Sequence, residues 1–263
     1  MLNLDGEDKW HSVQEDTTKK GGEKMNAWFS FNGVNFSKWL KLVDDNRASL
    51  PPRKFTNTEV HHGVHASNKR WGEYLIELDV LMISTSYEEQ RKAMREMAYY
   101  LSAEEGKLVF FDEPDKAYHA FVVDFSDFTG KGLLKTGKLV FQVSDPVAEG
   151  AKKELDFTES IVVDYTATAP AMPVYSILFH EDAENMQLEK DGKRFKLNRV
   201  FHSGDQVVID SEKSAIRYND EWAMPLLDLR SGFKDLFLHP GENHIAIRPE
   251  TATVEIAYKE KWL

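Results

Sequence analysis

The chain has 263 residues, 33 Lys and Arg against 44 Asp and Glu, and no cysteine. A formal charge of −11 is opposite to what a phosphate-neutralising nucleic-acid binder or a protein docked on an anionic membrane carries. The lack of thiols excludes disulfide scaffolds, thiolate zinc sites, iron–sulfur clusters and cysteine nucleophiles.

At this length about two domains are expected, each able to bury a core. No run approaches the roughly 20 apolar residues of a spanning helix. Residues 1–24 are charged, lack the apolar centre of a signal peptide and end near Lys19-Lys20-Gly21-Gly22. They read as a flexible N-terminal extension. Order is expected from AWFSFNGVNFSKWLKLV onward, where Asn32-Gly33 between aromatic flanks signals a hairpin with a type I′ turn. Residues 44–71 read as polar and irregular, with Pro51-Pro52 and a group of histidines.

From Gly72 the pattern changes. Tyr74, Ile76, Leu78, Val80 and Met82 alternate onto one face of a strand. Ser86 and Glu89 make a capping box, and Met94, Met97, Ala98 and Leu101 follow at helical spacing, with Gly106 as the stop. KLVFF, AYHAFVVDF and GKLVFQVSD then read as strands, with a Pro-containing turn at DEPDK. Pro170 and Pro173 mark an expected boundary between residues 25–167 and 168–263. Beyond it come short strands separated by Asp-Gly, Ser-Gly, Asn-Asp and Pro-Gly signals, the pattern of a β-sandwich or jelly roll. The fold class expected is thus mainly β with one helix in the first domain (α+β), followed by an all-β domain.

Chemical motifs are weak. Gly132 to Lys138 spells G-x-x-x-x-G-K, but Leu139 stands where a phosphate-binding loop needs Ser or Thr. The following LVFQV alternates as a strand where that loop needs a helix. A glycine- and lysine-rich hairpin loop is the better reading. His61, His62 and His65 could converge on a metal, with Glu59 the one carboxylate nearby, yet no periodicity fixes them, and an exposed polar loop is the expectation. Asp112, Glu113 and Asp115 about Pro114, and Glu181, Asp182 and Glu184, are acidic groups without the spacing of a calcium loop. They read as a turn and a solvated strand end. No G-x-S-x-G or H-E-x-x-H occurs. Catalytic, cofactor-binding and metal residues are therefore all expected to be none, and the protein is not expected to be an enzyme. Phe110, Phe111, Phe121, Phe125 and Phe128 fall on strands and are expected in the core. Trp222 and Trp262 are either core residues or platforms for a sugar ring, and pattern alone does not choose.

The ordered segments resemble the distal tail protein of siphophages that infect Gram-positive bacteria, the phage tail family protein. The resemblance is carried by FSFNGVNFSKW, by the unit from EYLIELDVLMI through the helix to KAYHAFVVDF, by GKLVFQVSDPVAEG, by FKDLFLHPGENHIAI and by the closing VEIAYKEKWL. Together these cover most of residues 26–263. Where the family often has G-R-x-G before the long strand, this chain has HHGVHASNKRWG.

The resemblance implies a structural hub of the virion tail tip or baseplate, assembled in the host cytoplasm. Its first domain would form a six-fold ring by strand pairing between copies. Residues 168–263 would form a galectin-like β-sandwich pointing outward. The ring would join the tail tube protein to the tail-tip fibre or lysin protein, and in many members also holds receptor-binding proteins. No cofactor, specific nucleic acid or membrane partner is implied. The alternative is a carbohydrate-binding module that grips the host cell wall through the second domain, with its residues unassigned. An acidic ring would also suit a conduit for DNA, since like charge discourages phosphate from sticking.

Overall fold

A computed structural model describes residues 27–263; the extension expected over residues 1–24 lies outside the described residues. Strands β1 (Phe29–Phe31) and β2 (Val34–Asn35) form the expected hairpin, with Asn32 and Gly33 at φ 50° and 76°. Then come β3 (Leu40–Asn46), β4 (Arg53–Val60), β5 (Gly63–Trp71) and β6 (Tyr74–Ile83). The helix α1 (Tyr87–Leu101) leads to β7 (Gly106–Phe110), β8 (Glu113–Thr129) and β9 (Leu134–Val143). Together with β1–β3 and β6 these make one antiparallel sheet in the order β3-β6-β9-β8-β7-β1-β2. Its core is Phe29, Phe31, Phe36, Ile76, Leu78, Val80, Met82, Leu108, Phe110 and Phe141, against which α1 lays Met97 and Leu101.

Four local expectations are corrected. Ser86 caps α1 by accepting from the Glu89 amide at 3.1 Å, but the Glu89 carboxylate accepts from the amide of Thr85, one residue further back than a capping box would have it. Ala98 is exposed, and the buried polar residue on the helix is Gln90. Gly106 does not stop the helix, which ends at Leu101 with Ser102 as C-cap. Gly106 is needed because Asn32 crosses it: a Cβ there would lie 2.4 Å from Asn32 Oδ1, which accepts from the Lys107 amide. The turn expected around Pro114 falls one step earlier, since Phe110 already pairs with Glu113 and Pro114 lies within β8.

The second half begins with β10 (Ala148–Thr158) and β11 (Ser160–Tyr165), followed by β12 (Val174–Phe179), β13 (Met186–Lys190) and β14 (Lys193–Leu197). β15 (Gln206–Asp210), β16 (Ala215–Tyr218), β17 (Glu221–Trp222), β18 (Gly241–Arg248) and β19 (Ala252–Trp262) complete it. One layer runs β17-β16-β15-β12-β19-β10, the other β11-β18-β13-β14. A single core lies between them, in which the Phe179 and Phe201 rings stack at 4.4 Å. Phe157, Val163 and Tyr165, all before Pro170, belong to this core along with the residues after it. The Asp191-Gly192 turn has positive φ at both residues, as that hairpin signal requires. The Pro240-Gly241 signal has a tertiary reason too. Buried Asn243 accepts from the His239 amide and donates to the carbonyls of His239 and Gly241, so one side chain closes the loop.

Candidate functional site

Residues 44–71, expected to be irregular, instead hold the end of β3 and a hairpin arm. Among the described strands β4 and β5 pair only with each other, from Arg53 opposite Trp71 to Val60 opposite Gly63. Every residue of β4 is exposed, including Phe55 and Val60, and so is Val64 on β5. A strand with no buried face has no need to alternate polar and apolar residues, which hides it from periodicity. The root of the arm is tied where the Gly72 amide donates to the Pro52 carbonyl at 2.7 Å, Lys54 pairs with Glu73 and Arg53 lies 4.5 Å from the Trp71 ring centre. Arg53, Lys54, Lys69 and Arg70 outnumber Glu59 and Glu73, so the arm is basic on an otherwise acidic chain.

The second feature is the junction between the two cores. β10 touches β8 at one register position, Glu149 opposite Ala117. Glu149 is 7% exposed. Its carboxylate takes Lys107 Nζ at 3.0 Å and His119 Nε2 at 3.1 Å, both from the first sheet, and Lys259 from β19. Burial pushes this carboxyl up, but the hydrogen bonds from Lys259, Lys107 and His119 outweigh it and bring it down to about 2. Beside it Lys261 reaches Asp145 at 3.0 Å, and Lys116 lies 4.6 Å from the Trp262 ring centre. Trp262 itself rests on Gly150, where a Cβ would come within 2.8 Å of its Nε1.

The residues singled out by sequence are dispersed. Gly132 lies in the turn between β8 and β9, whereas Gly137 and Lys138 lie within β9, where Lys138 pairs with Glu77 at 2.7 Å. The hairpin is as expected, but its loop is shorter, since residues 134–138 belong to β9. His61, His62 and His65 sit at and near the arm tip, the first two with rings 4.6 Å apart. Among the described residues no group of three or more His, Asp or Glu is placed to hold a metal. Asp112 and Glu113 are drawn to Arg47, which also holds Asp45 and stacks on Phe110 at 4.3 Å. The Arg47 hydrogen bond keeps the Asp112 carboxyl below its ordinary range. Asp182 is occupied by the Ser203 amide and His202. Phe110 is buried in the core, while Phe111, Phe121, Phe125 and Phe128 are half-buried. Trp262 is a junction residue; Trp222 is 68% exposed. Arg47 and the Glu149 cluster were not legible in sequence, because their partners lie up to 110 residues away on other strands.

Two family models match the chain. Residues 28–139 match a phage tail protein RIFT-related domain, and residues 166–262 match the C-terminal domain of a siphovirus-type tail component. The chain is 27% identical over 162 residues to the distal tail protein of Bacillus phage SPP1, which is 59% of this chain and 62% of that relative's length. The chain thus aligns with less than two thirds of that curated relative. The crystal structure of the same phage's Dit protein, described as a paradigm of the hub adsorption apparatus in Gram-positive-infecting phages, superposes with a TM-score of 0.76. That superposition covers 90% of this chain and 99% of the other at 18% identity, a likeness of fold.

Proposed function

Because the chain belongs to the siphophage distal tail protein family, a tail component and not an enzyme, we propose that it acts as the hub ring of the tail tip. Six copies close a ring that joins the tail tube protein above to the tail-tip fibre or lysin protein below. Residues 25–167 carry ring formation. Residues 168–263, with β10 and β11 paired into its two layers, form the outward sandwich and offer a seat for receptor-binding proteins.

The observation that carries this is the arm. A two-stranded sheet exposing Phe55, Val60 and Val64 is a poor free-standing element, since an isolated hairpin is marginal in water. Its excess of Lys and Arg complements the acidic remainder of another copy. The outer edge of β3, which pairs only with β6 among the described strands, offers a further line of unpaired backbone groups. Contacts of this kind repeated head to tail close into a ring. A lumen free of excess cations would let DNA pass without sticking.

Light scattering at high concentration, alone and with the tail tube and tail-fibre proteins, tests the proposal. The expected mass is about six times 30.2 kDa. A monomer under every condition, partners included, would overturn it.

A further inference from the structure

Trp222 keeps 68% of its surface in solvent on β17, the last strand of its layer. Elsewhere in the same domain Tyr165, Phe179, Phe195 and Phe201 are enclosed, which is where a large ring gains most. Register explains its position. Trp222 lies opposite Arg217, and Arg217 opposite Val208, so the three form one row on the outer face while Val207, Ile209 and Ile216 point into the core. The Arg217 guanidinium sits over one face of the indole, 5.1 Å from its centre.

The platform is pre-formed. Asn219 and Asp220 make the tight turn with φ 47° and 68°, and Asp205 anchors it by accepting from Asn219 Nδ2 at 2.9 Å and Tyr218 Oη at 2.7 Å. Beside the ring opens a cleft of about 270 Å³ lined by Val208, Asp210, Lys213, Arg217, Asp220 and Trp222. Two carboxylates and two cations cancel, so the cleft favours neither an anion nor a cation. A flat apolar plate rimmed by hydrogen-bonding groups of both kinds matches a sugar ring, with C–H groups on one face and hydroxyls around its edge. At two residues β17 is too short to accept an added peptide strand.

We propose that this cleft is a saccharide site, in which a pyranose stacks on Trp222 while Asp210, Asp220 and Arg217 bind its hydroxyls. The site works in a single copy; a ring would multiply its weak affinity. The test is an NMR titration of the full chain with methyl glycosides of glucose, galactose, N-acetylglucosamine, N-acetylgalactosamine and rhamnose, and with wall polysaccharide purified from a Gram-positive cell. The Trp222 indole signal is assigned by its loss in Trp222→Phe. At least one of these should move that signal, Trp222→Ala should abolish binding, and Arg217→Ala should weaken it about tenfold or more. Binding by a chain that stays monomeric under every condition, partners included, would keep this proposal and remove the ring. No shift with any glycoside or polysaccharide would overturn it, as would binding that survives Trp222→Ala. Protection of the indole by a tail protein alone would likewise overturn it, making the cleft a protein contact.

Discussion

Lys54 and Glu73 form an ion pair at the root of the arm with side chains 44% and 49% exposed. At the junction Glu149 gathers Lys107, His119 and Lys259 with 7% of itself in solvent. The chemistry is the same and the consequences differ. In water a pair is screened and exchanges readily with solvent, so it holds little. At the junction the carboxylate has shed its hydration and depends on its partners, whereas Lys107 and Lys259, 54% and 48% exposed, keep much of their water. The junction therefore suits a fixed angle between the two cores, and the arm suits contacts made only when another chain arrives.

The largest expected effect is at the junction. Glu149→Ala should cost about 2 kcal/mol in urea unfolding at neutral pH, the scale of losing hydrogen bonds to a charged group. A change indistinguishable from zero would erase the contrast with the arm. The same group sets a pH dependence. Its carboxyl titrates at about 2 in the folded chain against an ordinary 4.5, so its contribution is complete above pH 4.5 and is lost as the pH falls from there toward 2. Glu149→Gln should flatten that part of the stability profile. Asp205, also lowered to about 2 by the His202 amide and the Asn219 side chain, shares the window, and the slope it supplies should remain.

Asp145→Ala comes next. It strips the partner from Lys261, which is only 8% exposed, and should cost about 1–2 kcal/mol. Replacing residues 53–71 by a short Gly-Ser turn should leave body unfolding nearly unchanged, because Pro52 and Gly72 already meet through a hydrogen bond. The same change should remove the ring mass in light scattering, so stability and assembly separate. The smallest effect is expected for Lys54→Ala, with no resolvable shift in Tm; a clear destabilisation would mean the arm pair acts like the junction.

Much of the fold was legible for local reasons. Tyr74 to Met82 alternate because one face of β6 is buried, and Asn32-Gly33 and Asp191-Gly192 turn because those residues tolerate positive φ. The tail-family resemblance followed from such segments in order, including the PGEN loop that Asn243 closes. The arm escaped because neither face is buried. β10 escaped through its exposed KKE run, held in place by pairing with β19 rather than by alternation. Of the site residues, Trp222 was visible as a tryptophan but not as a surface one.

The sequence by itself determined the elements whose cause lies within a few residues: alternating strands, one capped helix, tight turns, an acidic thiol-free composition. Tertiary structure alone decided what those elements face. It left β4 and β5 without a third strand among the described residues, brought Lys107, His119 and Lys259 around Glu149, and turned Trp222 outward beside Arg217. Each depends on strand partners far apart in the chain, and residue type and spacing carry no distance across a sheet.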